Sequence, residues 1–251
     1  MDILAHLKRT TSVAAAALRR HPGRPAVALA AVGMLALAGA LPASASSGSD
    51  LTASTWKIYT IQAATNTWSS MSNTKAKDGA GATFDFQQYD PAGMGLDSVY
   101  LLTNVAKSDL SSTTITANVS VNATDGSKFF TRSKTTDCAN GGADAYVRLE
   151  FQSTRSGPYS PSDYWWGTSS LNLSTLANQG SVSLKNSTAN PAEWSNINGQ
   201  SGSTDPAGFA DALKNVKQVG VAFGSACRYA SGVAIGGGGT GSFSLLSYTL
   251  E

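Results

Sequence analysis

Apolar and polar residues alternate with period two in several stretches of this chain, the pattern of half-buried β-strands. Ile115, Ala117, Val119 and Val121 fall on one side of such a run, with Thr116, Asn118, Ser120 and Asn122 on the other. Ala145, Val147, Leu149 and Phe151 alternate with Tyr146, Arg148, Glu150 and Gln152. Phe84 and Phe86 alternate with Asp85, Gln87 and Tyr89, and Val219, Val221 and Phe223 with Gly220, Ala222 and Gly224. Phe243 and Leu245 share one parity; Leu246, Tyr248 and Leu250 share the other, which predicts a β-bulge between them. Weaker strand patterns occupy 56–61, 98–103 and 181–184.

Helix is scarce. Asp205-Pro206 reads as an N-cap followed by proline at the first helical position. Phe209, Ala212, Leu213 and Val216 then recur at helical spacing, so a short helix is predicted over 206–215, with one further turn at 173–177. Gly, Ser, Thr and Asn clusters separate the strands, as turns require. The predicted fold is all-β: an antiparallel β-sandwich or jelly roll with one short helix.

The first 45 residues differ. Lys8, Arg9, Arg19, Arg20 and Arg24 precede an apolar run over 26–41, which ends in Pro42 and the small-x-small sequence Ala43-Ser44-Ala45. This reads as a secretory signal peptide at 1–45, leaving one domain at 46–251. An apolar run of about 16 residues is short for a span of about 20, so no membrane span is expected after leader removal; an uncleaved anchor is the other reading. Arg19-Arg20 leaves general and twin-arginine export both open. The expected location is secreted, extracellular or envelope-associated.

Removing the leader changes the charge. It holds five of the 18 Lys and Arg and one of the 16 Asp and Glu, leaving 13 basic and 15 acidic residues. No basic run survives, so no nucleic-acid partner is expected. Both histidines, His6 and His21, also leave with it. That excludes a Ser-His-Asp triad and any histidine-ligated metal.

Other catalytic patterns are incomplete. Ser72–Lys75 forms S-x-x-K without its partner motifs. Residues 236–241 fit G-x-G-x-x-G, but a strand follows where a dinucleotide site needs a helix, so a hairpin loop is predicted. Glycoside hydrolysis needs two carboxylates flanking one bond. Beyond the leader the glutamates are Glu150, Glu193 and Glu251; Glu150 with Asp163 is the pair that could meet. The expectation is that the chain is not an enzyme.

Cys138 and Cys227 are the chain's two cysteines. In an exported protein they read as a disulfide. It would close a loop of about 90 residues and contribute roughly 4–5 kcal/mol in the chain-entropy model. Two buried thiols are the alternative.

Two groups suit a ligand. Tyr159, Tyr164, Trp165, Trp166 and Trp194 sit in or beside Ser-, Pro- and Asn-rich segments, where flat rings can stack on sugar C–H faces; packing is the competing role. Strand alternation predicts that one of Trp165 and Trp166 is buried and the other exposed. The polar row Tyr146, Arg148, Glu150 and Gln152 either meets sugar hydroxyls or is an ordinary solvated face. Four N-x-S/T sequons, at Asn118, Asn122, Asn172 and Asn186, are expected by chance in this composition.

The last 90 or so residues have a recognisable order: Tyr164-Trp165-Trp166, a Leu-rich turn, Trp194, Phe209-Ala210-Asp211-Ala212-Leu213, Val219-Gly220-Val221-Ala222-Phe223-Gly224, Gly232-Val233 and a closing strand from Phe243 to Tyr248. This resembles the C-terminal half of galactose-binding-like jelly rolls, which include many carbohydrate-binding modules. The resemblance implies sugar binding on a concave face or loop edge. It also allows a structural calcium, for which residues 137–144 are the nearest candidate, with a plain disulfide-tethered loop as the alternative; no cofactor is otherwise expected. The resulting expectation is a monomeric, secreted, non-catalytic carbohydrate-binding-like module for a glycan or cell-envelope polysaccharide. Its candidate site is Tyr146, Arg148, Glu150, Tyr164, Trp165, Trp166 and Trp194. The alternative is an envelope structural or protein-interaction domain with no small ligand.

Overall fold

The computed structural model describes residues 56–62, 64–71, 75–77, 80–105, 109–131, 144–153 and 160–251. The leader, Cys138, Tyr159, residues 137–143 and most of the Ser72–Lys75 motif lie outside the described residues.

Fourteen strands are present among the described residues: β1 (Lys57–Gln62), β2 (Thr67–Met71), β3 (Lys75–Lys77), β4 (Ala80–Asp85), β5 (Leu96–Asn104), β6 (Thr114–Ala123), β7 (Lys128–Thr131), β8 (Tyr146–Gln152), β9 (Tyr164–Asn172), β10 (Val182–Ser187), β11 (Trp194–Asn196), β12 (Gln218–Gly224), β13 (Val233–Gly236) and β14 (Gly241–Leu250). They form two sheets. The nine-stranded sheet runs β11-β9-β8-β12-β5-β1-β2, with β13 paired to β5 and β7, and the five-stranded sheet runs β10-β6-β14-β4-β3. Every pairing between these strands is antiparallel. The molecule is therefore the antiparallel β-sandwich that the alternation predicts.

The apolar parity of each strand points inward. Val147, Leu149, Phe151, Val219, Val221 and Phe223 of one sheet share a core with Ile115, Ala117, Val119, Val121, Phe243 and Leu245 of the other. Phe223 ties the sheets together: its ring lies 5.5 Å from Phe84 and 4.9 Å from Phe243, both edge-on. The bulge in β14 falls between Leu245 and Ser247, where the change of parity predicts it.

Two α-helices are present among the described residues. α2 (Pro206–Lys214) starts where the cap pattern predicts: the Asp205 carboxylate accepts from Gly208 N at 3.1 Å, and Pro206 opens the first turn. Its buried side, Phe209, Ala212 and Leu213, lies against the core, with Phe209 4.8 Å from the Trp165 ring. α1 (Leu173–Leu176) is a single turn capped by Asn172, whose Oδ1 accepts from Ser174 N and Thr175 N. No helix among the described residues is long and apolar enough to cross a membrane.

The glycine run differs from its predicted role. Gly237 and Gly238, at φ +78° and +77°, make a tight turn after β13. It is not a hairpin: β13 belongs to the nine-stranded sheet and β14 to the five-stranded one, so the turn carries the chain from one layer to the other.

Candidate functional site

Strand β8 is buried on both sides. Val147, Leu149 and Phe151 enter the core, while Arg148, Glu150 and Gln152 are buried on the sheet's opposite, outward face. The polar row, for which the alternation allowed either a sugar-binding face or an ordinary solvated one, is thus a covered one. Trp166 is the cross-strand neighbour of Glu150 and is buried, yet lies outside the core cluster. Its ring stacks near Tyr164, centroids 6.4 Å apart at 19°, and meets Tyr229 edge-on at 5.9 Å. Tyr229 belongs to the segment 225–232 after β12. The Arg148 guanidinium lies over its ring, Cζ 4.0 Å from the centroid, and Arg148 Nη2 donates to the Ser225 carbonyl at 3.2 Å.

The electrostatics of this row are costly. Burial pushes the Glu150 carboxyl well above the ordinary carboxylate range, and hydrogen bonding from Gln152 and Trp166 opposes it only in part. Gln152 Nε2 donates to Glu150 Oε1 at 2.6 Å. Glu150 Oε2, Trp166 Nε1 and Arg148 Nε are buried without a partner at full hydrogen-bond geometry. Burial also lowers the Arg148 pKa to about 10, against the opposing influence of Tyr229 and Tyr146. An unpaired buried polar atom costs about 1–3 kcal/mol. Such arrangements concentrate at functional sites.

The remaining predicted residues divide. Trp165 and Trp194 are core side chains. Trp194 packs 4.9 Å from Phe151, and their indole N–H groups donate to the Ser162 and Ser187 carbonyls at 2.7 and 2.9 Å. A fully buried ring has no face for a ligand. All three tryptophans lie in strands, not loops, and both Trp165 and Trp166 are buried because this part of the sheet is covered on both sides. Tyr146 and Tyr164 are half-buried. Burial raises the Tyr164 pKa, and the Glu150 and Asp163 carboxyls add to the rise. Both acids therefore lie near Tyr164, but Glu150 is closed to solvent. Asp163 accepts from Ser153 Oγ at 2.8 Å and lines a separate groove with Asp211 and Asn215. No cluster of three or more His, Cys, Asp or Glu suited to a metal occurs among the described residues. Of the sequons, Asn186 is buried and cannot serve as a glycosylation acceptor in the folded chain.

No protein-family model matches the chain, and no curated protein does. A solved xylan-binding module, CBM15, aligns with a TM-score of 0.33 and 13% identity over 76% of this chain and 90% of that one. No residue role is carried over from so distant a likeness.

The outward face holds aromatics that the sequence reading did not select. Arg148, Ala222, Tyr100 and Tyr59 stand in register across β8, β12, β5 and β1. Tyr59 and Tyr100 are half-buried. Between the two aromatic groups β12 presents Gly220, Ala222 and Gly224, with Gln218 at its start. A Cβ at Gly220 would strike the Leu101 carbonyl. The small-residue parity of 220–224 was the available signal for this low strip.

Proposed function

We propose that the chain is a secreted, non-catalytic carbohydrate-binding module of galactose-binding-like type. Its glycan lies against the outward face of the nine-stranded sheet. One observation carries the reading: Arg148, Glu150 and Gln152 are buried outside the core, beneath Trp166 and Tyr229, with polar atoms lacking full hydrogen bonds. Burying ionisable groups there works against stability, so their presence outside the core favours a binding role. Half-buried Tyr59, Tyr100, Tyr146 and Tyr164 supply rings for sugar C–H faces. The buried row offers donors once a ligand displaces the cover.

Residues 1–45 act as the export signal in this reading. Export also favours the Cys138–Cys227 bridge. These are the chain's two cysteines, and an exported even pair favours pairing. A partner-docking role has less support: Met94 and Ile197, 54% and 45% exposed, are the exposed large hydrophobics among the described residues and lie in separate turns.

Pull-down of residues 46–251 on insoluble xylan, cellulose, mannan and chitin tests the proposal. Retention on at least one polymer, lost in Tyr146→Ala/Tyr164→Ala, is the expected result. Equal retention of that variant, or no retention on a glycan array as well as on the polymers, overturns it.

A further inference from the structure

The outward face of the five-stranded sheet carries an independent feature. Its polar side chains form cross-strand rows, and in two of them the groups satisfy one another. Thr83 Oγ1 and Ser244 Oγ lie 3.0 Å apart. Asn118 Nδ2 donates to Ser247 Oγ at 2.6 Å, and Ser183 Oγ donates to Asn118 Oδ1.

The row nearest the β13–β14 turn behaves differently. Asp85, Ser242 and Asn122 stand in register across β4, β14 and β6. No hydrogen bond joins their side chains to one another, and Asp85 and Asn122 are exposed. With Phe86, Thr124 and Thr240 they line an open groove of about 570 Å³. The rim is fixed from below. Thr124 Oγ1 and Ser127 Oγ lie 3.0 Å apart, Thr240 N donates to Thr124 Oγ1 at 2.9 Å, and Asn178 clamps the Ala123 backbone through both amide atoms.

The chemistry of the row selects a ligand class. Asp85 accepts only, while Asn122 and Ser242 both donate and accept. No lysine or arginine lines the groove, so an anion has no counter-charge. A single carboxylate is too little for calcium, which takes six to eight oxygens, commonly with several carboxylates. Vicinal hydroxyls can donate to Asp85 while Asn122 and Ser242 complete their bonds.

We propose that this groove is a second binding site, for a neutral, hydroxyl-rich ligand of the sugar class. It shares no residue with the outward face of the nine-stranded sheet and does not rest on that reading. Two sites on opposite layers would let one molecule hold two segments of polymer and gain avidity.

Titration of isotope-labelled 46–251 with the neutral hexaoses of glucose, xylose and mannose tests it, read by amide chemical shifts. Saturable shifts at Asp85, Asn122 and Ser242 are expected. Asp85→Ala and Asn122→Ala should each weaken that site at least about fivefold, roughly 1 kcal/mol. Asp85→Asn, which keeps an acceptor oxygen, should retain part of the affinity. Shifts confined to 146–152 and 225–232 would leave the first site standing and overturn this one. No shift at Asp85, Asn122 or Ser242 with any of the three hexaoses at about 10 mM, the weak end of measurable binding, also overturns it.

Discussion

The two sides of strand β8 in the nine-stranded sheet are almost equally buried, yet they hold opposite chemistry. Inward, β8 contributes Val147, Leu149 and Phe151 to a core of interlocking rings. Outward, the same strand contributes Arg148, Glu150 and Gln152, covered by Trp166 and Tyr229. The first side gains stability from apolar area removed from water. The second loses stability through desolvated charge, recovered in part by hydrogen bonds and a cation–π contact. Burial alone therefore does not identify a core; the chemistry of what is buried separates packing from a site held ready.

The contrast can be broken most severely from the inward side. Phe223→Ala removes the ring that ties the nine-stranded sheet to Phe84 and Phe243 of the other sheet and should cost about 3–5 kcal/mol, measured by urea unfolding.

On the outward side the largest effect should appear as pH dependence. The folded Glu150 carboxyl titrates well above its ordinary value of 4.5, so the folded state holds a proton that the unfolded state releases. Its contribution is fully present below 4.5 and is lost as pH rises toward the folded pKa, at up to about 1.4 kcal/mol per pH unit. Glu150→Gln should remove that slope. A wild-type slope unchanged in the variant would show that other groups carry it.

Arg148→Ala should cost about 1–3 kcal/mol and speed amide exchange in 225–232, because it removes the cation–π contact with Tyr229 and the bond to Ser225. Tyr59→Ala and Tyr146→Ala should change stability least, by about 1 kcal/mol or less, while reducing polysaccharide retention. That separation of binding from stability distinguishes the two sides most clearly.

The architecture was legible where local rules dominate. Alternation marked β6, β8, β12 and β14; the change of parity at Leu246 marked the bulge; Asp205-Pro206 marked the start of α2. Short strands such as β11 and β13 were less visible, because three or four residues cannot establish a period. The site was legible only in part. Period two says which side a residue faces, not what lies above it, so the cover over Arg148 and Glu150 was not visible. Tyr229 comes from another loop, and its place over Arg148 depends on the segment after β12 folding back. Trp165 and Trp194 looked available because aromatic residues near polar segments suit sugars, whereas the β9–β11 pairing and α2 close over them.

If the covered polar row is the floor of a ligand site, binding must reach its buried donors. The side-chain resonances of Trp166 Nε1–H and Arg148 Nε–H report on it directly, since both are buried donors without a fully formed hydrogen bond. During titration with an oligosaccharide of whichever polymer retains the protein, both should shift and saturate together with binding. Binding that leaves both resonances unmoved would show that the row is not part of the site.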